Sequence, residues 1–230
     1  MFDAIAVDPR KLIAELIGTF ALVFIGAGSL IASGQDILAV AIAQGLALAL
    51  LVSALWTLRG GFFNPAIALG LWVTRRMNTA NAALYIIAQL GGAVLAALTL
   101  VALFPETLRS NAMLGTPFLT GVTFAQGVGI EVILTMFLML AVFGTILDKR
   151  GPSIGGFGIG LVLTMDIIVA YRFTGAAMNP ARAFGPALLD WNWDDHLVYW
   201  IGPIVGAVAG ALLYHYIFAD DQAEAGVVAA

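Results

Sequence analysis

The tripeptide Asn-Pro-Ala occurs twice, at residues 64–66 and 179–181, and its surroundings repeat with it at the same spacing of 115 positions. Gly-Gly-Phe-Phe-Asn64-Pro-Ala matches Gly-Ala-Ala-Met-Asn179-Pro-Ala; Gly45-Leu46 pairs with Gly160-Leu161, Tyr85 with Trp200 and Gly91 with Gly206. Glu15 and Glu131 fall one residue away, at 116. Each copy carries three long apolar runs. If these cross a membrane, three is odd, and the second copy must enter from the opposite side. The fold is then an inverted repeat about a pseudo-two-fold axis in the membrane plane. Such folds place their functional site near the midplane, where broken helices from the two halves meet.

Composition decides that the runs are spans. Only 10% of the 230 residues are charged and 61% are hydrophobic, whereas a soluble domain is about a quarter charged. Six runs approach or exceed the ~20 residues a spanning helix needs: Lys11–Ser33, Ile37–Leu58, Thr79–Phe104, Gly121–Leu147, Ser153–Tyr171 and Leu197–Phe218. Two further stretches, Pro65–Val73 and Pro180–Leu189, are too short to cross and read as re-entrant half-helices. The class is an all-α membrane protein, one channel domain over 1–230, with repeats at about 10–105 and 121–218 and a solvated tail over 219–230. The N-terminus, Met1-Phe-Asp-Ala-Ile-Ala-Val-Asp8, lacks the basic start of a cleavable signal peptide. With no cysteine, disulfides, thiolate metal sites and thiol nucleophiles are excluded. His196 and His215 are the only histidines, and no nucleophile–base pairing or metal-ligand spacing appears. Neither an enzyme, a cofactor, a metal nor a nucleic-acid partner is expected.

Positive charge orients the chain. With the N-terminus inside, Arg10, Lys11, Arg59, Arg75, Arg76, Lys149 and Arg150 lie on the inner side, against Arg109, Arg172 and Arg182 outside. Seven against three places both termini in the cytoplasm. Trp191 and Trp193, with Asp190, Asp194 and Asp195, would form an outer interfacial collar.

Asn is a preferred helix cap and Pro is favoured at the first helical position, so each Asn-Pro starts a helix. If each Asn carbonyl caps its own helix, its amide N–H₂ is expected to point outward as a fixed donor. Two caps meeting at the midplane supply two donors and two positive helix-dipole ends. That spot welcomes the oxygen of water, opposes cations and disfavours proton relay. Ala66 and Ala181 are small enough for the two ends to pack closely.

These motifs resemble the paired signature of the aquaporin (major intrinsic protein) family. Thr174-Gly-Ala-Ala-Met-Asn-Pro-Ala-Arg182-Ala-Phe-Gly-Pro-Ala187 is similar to the family's second loop, and Ala14-Glu15-Leu-Ile-Gly18-Thr19-Phe20 to its first helix. The resemblance implies six tilted helices, two half-helices, a homotetramer with one pore per subunit, and a water channel of prokaryotic type in the cell membrane. It implies that Asn64, Pro65, Ala66, Asn179, Pro180 and Ala181 form the pore centre and that Arg182 is the arginine of an outer selectivity filter. Arg182 also breaks the repeat, since its partner is Ile67.

By the same resemblance the other filter positions are Gln44, Ile167 and Ala176, where strict water channels carry an aromatic and a histidine at the first two. Phe62 replaces a His common before the first motif, and Ala183 a small polar residue after the arginine. A Gln–Ile–Ala–Arg constriction should be wider and less polar on one wall, admitting glycerol- or urea-sized neutral solutes beside water. Two features pull the other way. Tyr199-Trp200 opens the last span as in orthodox water channels, and the Asp that follows the arginine in glycerol-conducting members is absent.

Intramembrane carboxylates are costly and mark anchors or functional points. The resemblance implies that Glu15 and Glu131 each hold a re-entrant loop; Glu15 could alternatively pair with Lys11. Asp166, beside Ile167, reads as a buried partner of loop groups or of Arg172. Gly202, Gly206 and Gly210, and Gly156 and Gly160, follow the small-residue packing pattern of membrane helices. A coupled secondary transporter is the alternative function, with Glu15, Glu131 and Asp166 as its only coupling-ion candidates; a purely structural tetramer is a third reading.

Overall fold

The computed structural model describes residues 8–56 and 60–219, so the expectations for Arg59, for the first seven residues and for the tail beyond 219 lie outside the described residues. The described residues form nine α-helices: α1 Pro9–Ala32, α2 Ile37–Leu55, α3 Pro65–Val73, α4 Thr79–Leu103, α5 Glu106–Asn111, α6 Phe124–Val142, α7 Gly156–Thr174, α8 Pro180–Asp190 and α9 Val198–Leu213. α6 and α9 each continue as a π turn, over Phe143–Leu147 and Tyr214–Phe218. Six helices are long and apolar enough to cross a membrane, while α3 and α8 are short.

Local chemistry sets most boundaries. α1 begins two residues earlier than its apolar run because Asp8 accepts from Arg10 N–H and Pro9 fills the first position. Asp36 caps α2 through Leu38 and Ala39 N–H. α6 starts at Phe124 rather than Gly121, because Thr123 and Gln126 form a reciprocal capping box. The short α5 escaped the apolar-run reading, having no buried residue and no apolar periodicity.

Packing follows the repeat. α1 lies on α4 and α6 on α9, as mates, while α2 and α7 pack on each other across the pseudo-two-fold axis. Each half-helix crosses over, α3 onto α9 and α8 onto α4. Small residues bring these backbones together. Gly70 of α3 sits on Ala207, and Gly185 of α8 on Ala93. A Cβ on Gly45 would come within 2.6 Å of the Gly160 carbonyl, and one on Gly160 within 2.6 Å of the Ala49 Cβ. The outward faces are apolar: Ile13, Ile17, Ile87, Leu161 and Val169 are each more than half exposed, a surface suited to lipid rather than water.

The contacts also correct the register of the repeat. Gly91 faces open space, whereas Gly92 packs on Leu16 and Phe20 of α1, as Gly206 packs on Val132 and Thr135 of α6. The mate of Gly206 is therefore Gly92, and that of Tyr85 is Tyr199 rather than Trp200; Tyr85 and Tyr199 are both buried. The offset drifts from 116 at the first helix of each copy to 114 at the last, because the connections differ in length.

At the end of the bundle away from Arg182, Asp148 Oδ2 accepts from Arg150 Nη2 at 2.6 Å and from the Tyr214 hydroxyl at 2.9 Å. The Arg150 guanidinium holds the Asp148 carboxyl well below the usual carboxylate range. This ties the connection after α6 to the end of α9.

Candidate functional site

The two Asn caps form one construction. Asn64 Oδ1 accepts from Ala66 N–H at 2.9 Å; Asn179 Oδ1 accepts from Ala181 N–H at 3.0 Å and Arg182 N–H at 3.3 Å. The amides do not simply point outward. Asn64 Nδ2 donates to the Met178 carbonyl and Asn179 Nδ2 to the Phe63 carbonyl, both at 2.8 Å. One N–H of each amide thus cross-links the two half-helices, and the second N–H is what remains as a donor. The reason lies in the preceding residue. Phe63 and Met178 both take φ near +52°, a left-handed geometry that costs a non-glycine residue about 1–2 kcal/mol and turns its carbonyl toward the opposite Asn.

The carboxylates hold that geometry. Glu15 Oε1 accepts from Gly61 and Phe62 N–H at 2.7 and 2.9 Å, and Oε2 accepts from Phe63 N–H at 2.8 Å and Gln89 Nε2 at 2.7 Å. Glu131 Oε1 accepts from the Thr174 hydroxyl at 2.7 Å and Ala177 N–H at 3.0 Å, and Oε2 from Met178 N–H at 2.7 Å. Both acids are fully buried. Glu15 makes no ion pair with Lys11 among the described residues; its acceptors are taken by the loop and Gln89. Phe63 finds room because Gly18 of α1 has no side chain: a Cβ there would overlap the Phe63 ring.

Two cavities flank this centre. The narrow one, about 20 Å³, is lined by Gln44, Leu48, Ile67 and Leu163 together with both Asn64 and Asn179. The wide one, about 360 Å³, is lined by Gln35, Thr116, Thr120, Tyr171, Arg172 and Arg182 among others. The four expected filter residues are all buried, and neither of these two cavities is lined by all four. Gln44 faces the narrow cavity and lies against Gly26, where a Cβ would come within 2.7 Å of its Oε1. Arg182 faces the wide one, with Nη1 donating to the Gly115 carbonyl at 2.6 Å. Ile167 and Ala176 belong to a buried hydrophobic cluster that shares Leu48, Ile67 and Leu163 with the wall of the narrow cavity.

Sequence reasoning missed Gln89, Thr174, Thr116 and Tyr171. Tyr171 lies one helical turn beyond Ile167 on the same face, so helical periodicity could have found it. It puts an aromatic ring on the wall of the Arg182 cavity. Asp166 departs from expectation. It is 2% exposed, its Oδ2 has no hydrogen-bond partner, and it binds neither loop N–H groups nor Arg172. The loop N–H groups are already taken by Glu131.

The sequence profile of the major intrinsic protein family matches residues 5–214. Aquaporin TIP4-4 of Zea mays is 41% identical over 91% of this chain and 86% of its own length. Aquaporin-2 of Rattus norvegicus is 37% identical over 90% of this chain and 78% of its own. Among solved structures, the aquaglyceroporin from Plasmodium falciparum superposes with a TM-score of 0.83, covering 96% of this chain and 99% of that one at 23% identity. The named sequence relatives are plant and animal proteins, so the expectation of a prokaryotic type receives no support from them. The inverted repeat, the two half-helices and these matches together make this chain a member of the major intrinsic protein family.

Proposed function

We propose that the protein is a passive channel conducting water and small neutral solutes such as glycerol and urea, while excluding ions and protons. The observation that carries this reading is the reciprocal pair of Asn bonds. It holds two helix N-termini and two amide N–H donors at one point, on the wall of a cavity lined by both asparagines. A water whose lone pairs are both taken by those donors cannot accept a bond from the next water, so a proton has no relay through it. The two positive helix ends oppose a cation. Arg182 adds a charged donor at the wide mouth.

In this reading Asn64, Pro65, Ala66, Asn179, Pro180 and Ala181 form the pore centre. Gln44, Ile167, Ala176 and Arg182 set the filter, and Glu15 and Glu131 anchor the re-entrant loops. The chain acts as one channel domain of two repeats, assembled as a homotetramer in the cell membrane. Both termini are in the cytoplasm and the Arg182 mouth is outside. The sequence relatives carry the name aquaporin, and the structural neighbour is an aquaglyceroporin, in line with a pore for water and small polyols.

The test is a permeability panel in proteoliposomes. Water flow should rise well above that of empty vesicles, glycerol and urea should pass at a measurable rate, and an imposed pH gradient should neither dissipate nor drive uptake. Water flow equal to that of empty vesicles would refute the channel; water without glycerol or urea would refute the wide filter. Solute uptake driven by the pH gradient would establish the coupled transporter instead.

A further inference from the structure

We propose that the cavity at the Arg182 mouth is a binding site for a small dissolved oxyanion, which seats between Arg182 and Arg172 and throttles water flow. The effect on flow rests on the channel reading; the binding does not.

The polar residues lining the cavity are Gln35, Thr116, Thr120, Tyr171, Arg172 and Arg182, and no Asp or Glu lines it among the described residues. Two arginines therefore line one open-mouthed cavity without a carboxylate. Arg182 is 2% exposed, and among the described residues its guanidinium makes one hydrogen bond, Nη1 to the Gly115 carbonyl. Nε is buried without a partner, and the guanidinium's bond to Gly115 runs through Nη1, leaving Nη2 beside Nε. Nε and Nη2 form the guanidinium edge that meets two oxygens of an oxyanion side by side. The nearby acid Glu131 has both oxygens committed to Thr174, Ala177 and Met178, so it does not cover that edge.

A second unpartnered donor stands beside the first. The Thr116 hydroxyl is buried, without a partner, and on the same cavity wall. Thr116 follows Gly115, the residue that clamps Arg182, so the hydroxyl and the guanidinium edge are held in one frame. Arg172 enters from the last turn of α7 with Tyr171. At about 360 Å³ the cavity admits a tetrahedral anion with water around it, whereas the next space along, about 20 Å³, does not. An anion drawn in by the two charges stops above the constriction and occupies the path of water. Phosphate, sulfate and a lipid phosphate headgroup share the chemistry recognised; a site on the channel axis favours the dissolved ion.

The experiment uses sulfate, which does not titrate near neutral pH. Water permeability is measured by stopped flow in phosphatidylcholine proteoliposomes as sulfate replaces chloride at constant osmolarity and ionic strength. Sulfate binding to the detergent-solubilised protein is followed by calorimetry. Permeability should fall saturably, with the same half-point as the binding heat. Arg172→Gln, with flow normalised to its own value in chloride, should move that half-point upward by about tenfold or more, as for loss of one charge-assisted bond. Absence of saturable binding heat would overturn the proposal, as would an unchanged half-point in Arg172→Gln. Vesicles containing phosphatidylglycerol supply the lipid arm: reduced flow there without sulfate would assign the site to a headgroup and overturn the dissolved occupant. If the protein conducts no water in chloride, the channel reading fails, and the calorimetry alone still decides whether the anion site exists.

Discussion

Asn179 performs two tasks with one side chain, its oxygen capping α8 and one N–H binding the Phe63 carbonyl, and in the proposed channel the other N–H serves the passing solute. Asn179→Asp keeps the cap and removes both donors. It leaves the buried Phe63 carbonyl without its partner, a loss of about 1–3 kcal/mol, and places a negative charge where the helix dipoles had excluded cations. The expected outcome is a lower melting temperature together with a cation or proton leak, read by fluorimetry on solubilised protein and by dye-loaded vesicles. Unchanged water flow with unchanged ion exclusion would show that the amide donors do not carry the selectivity. The sequence identifies the cap by residue type alone. It does not disclose the cross-link, because the acceptors are backbone carbonyls of Phe63 and Met178, and any residue type offers the same carbonyl. Only their left-handed backbone aims them.

At the scale of elements, two short helices depend on others for their place. α3 and α8 each meet the last helix of the opposite repeat through a glycine, Gly70 on Ala207 and Gly185 on Ala93, so the halves are interlocked rather than merely adjacent. α2 and α7 close the axis through Gly45 and Gly160, with the Thr164 hydroxyl donating to the Ala41 carbonyl at 3.2 Å. Gly160→Ala would bring a Cβ within 2.6 Å of the Ala49 Cβ. Overpacking of this kind costs about 1–3 kcal/mol, and here the helices must separate to relieve it. Thermal denaturation should show the loss, and water permeability should change with it because Gln44, Leu48 and Leu163 of the same two helices line the narrow cavity. A variant with wild-type stability and flow would mean that the crossing has slack. The element boundaries were readable from caps and breakers to within a few residues. α5 was not, since a short polar turn leaves no periodic trace.

For the whole molecule, the proposed orientation in the membrane rests on the distribution of Lys and Arg and on the odd number of spans per repeat. Ser110 is exposed at the end of α5, next to Arg109, whose own side chain is engaged with the Phe104 carbonyl. A cysteine at position 110 should react with an impermeant maleimide added to intact cells, and one at position 222 only after lysis. The reverse pattern would invert the topology and put the Arg182 cavity on the cytoplasmic side.

The sequence by itself determined the class, the spans, the inverted repeat and the identity of the two caps. Each of these rests on local composition or on spacing along the chain: apolar length against bilayer thickness, Asn-Pro at a helix start, an odd count of spans. The tertiary structure alone decided how the pieces meet. It set the drift of the repeat from 116 to 114, the division of Gln44 and Arg182 between two cavities, and the unpartnered state of Asp166. Those outcomes depend on which backbone groups and side chains compete for the same partner in three dimensions. Glu131 takes the loop N–H groups expected for Asp166, and the clamp by Gly115 turns one edge of Arg182 into the wide mouth. No pattern of residue types along the chain records the result of such a competition.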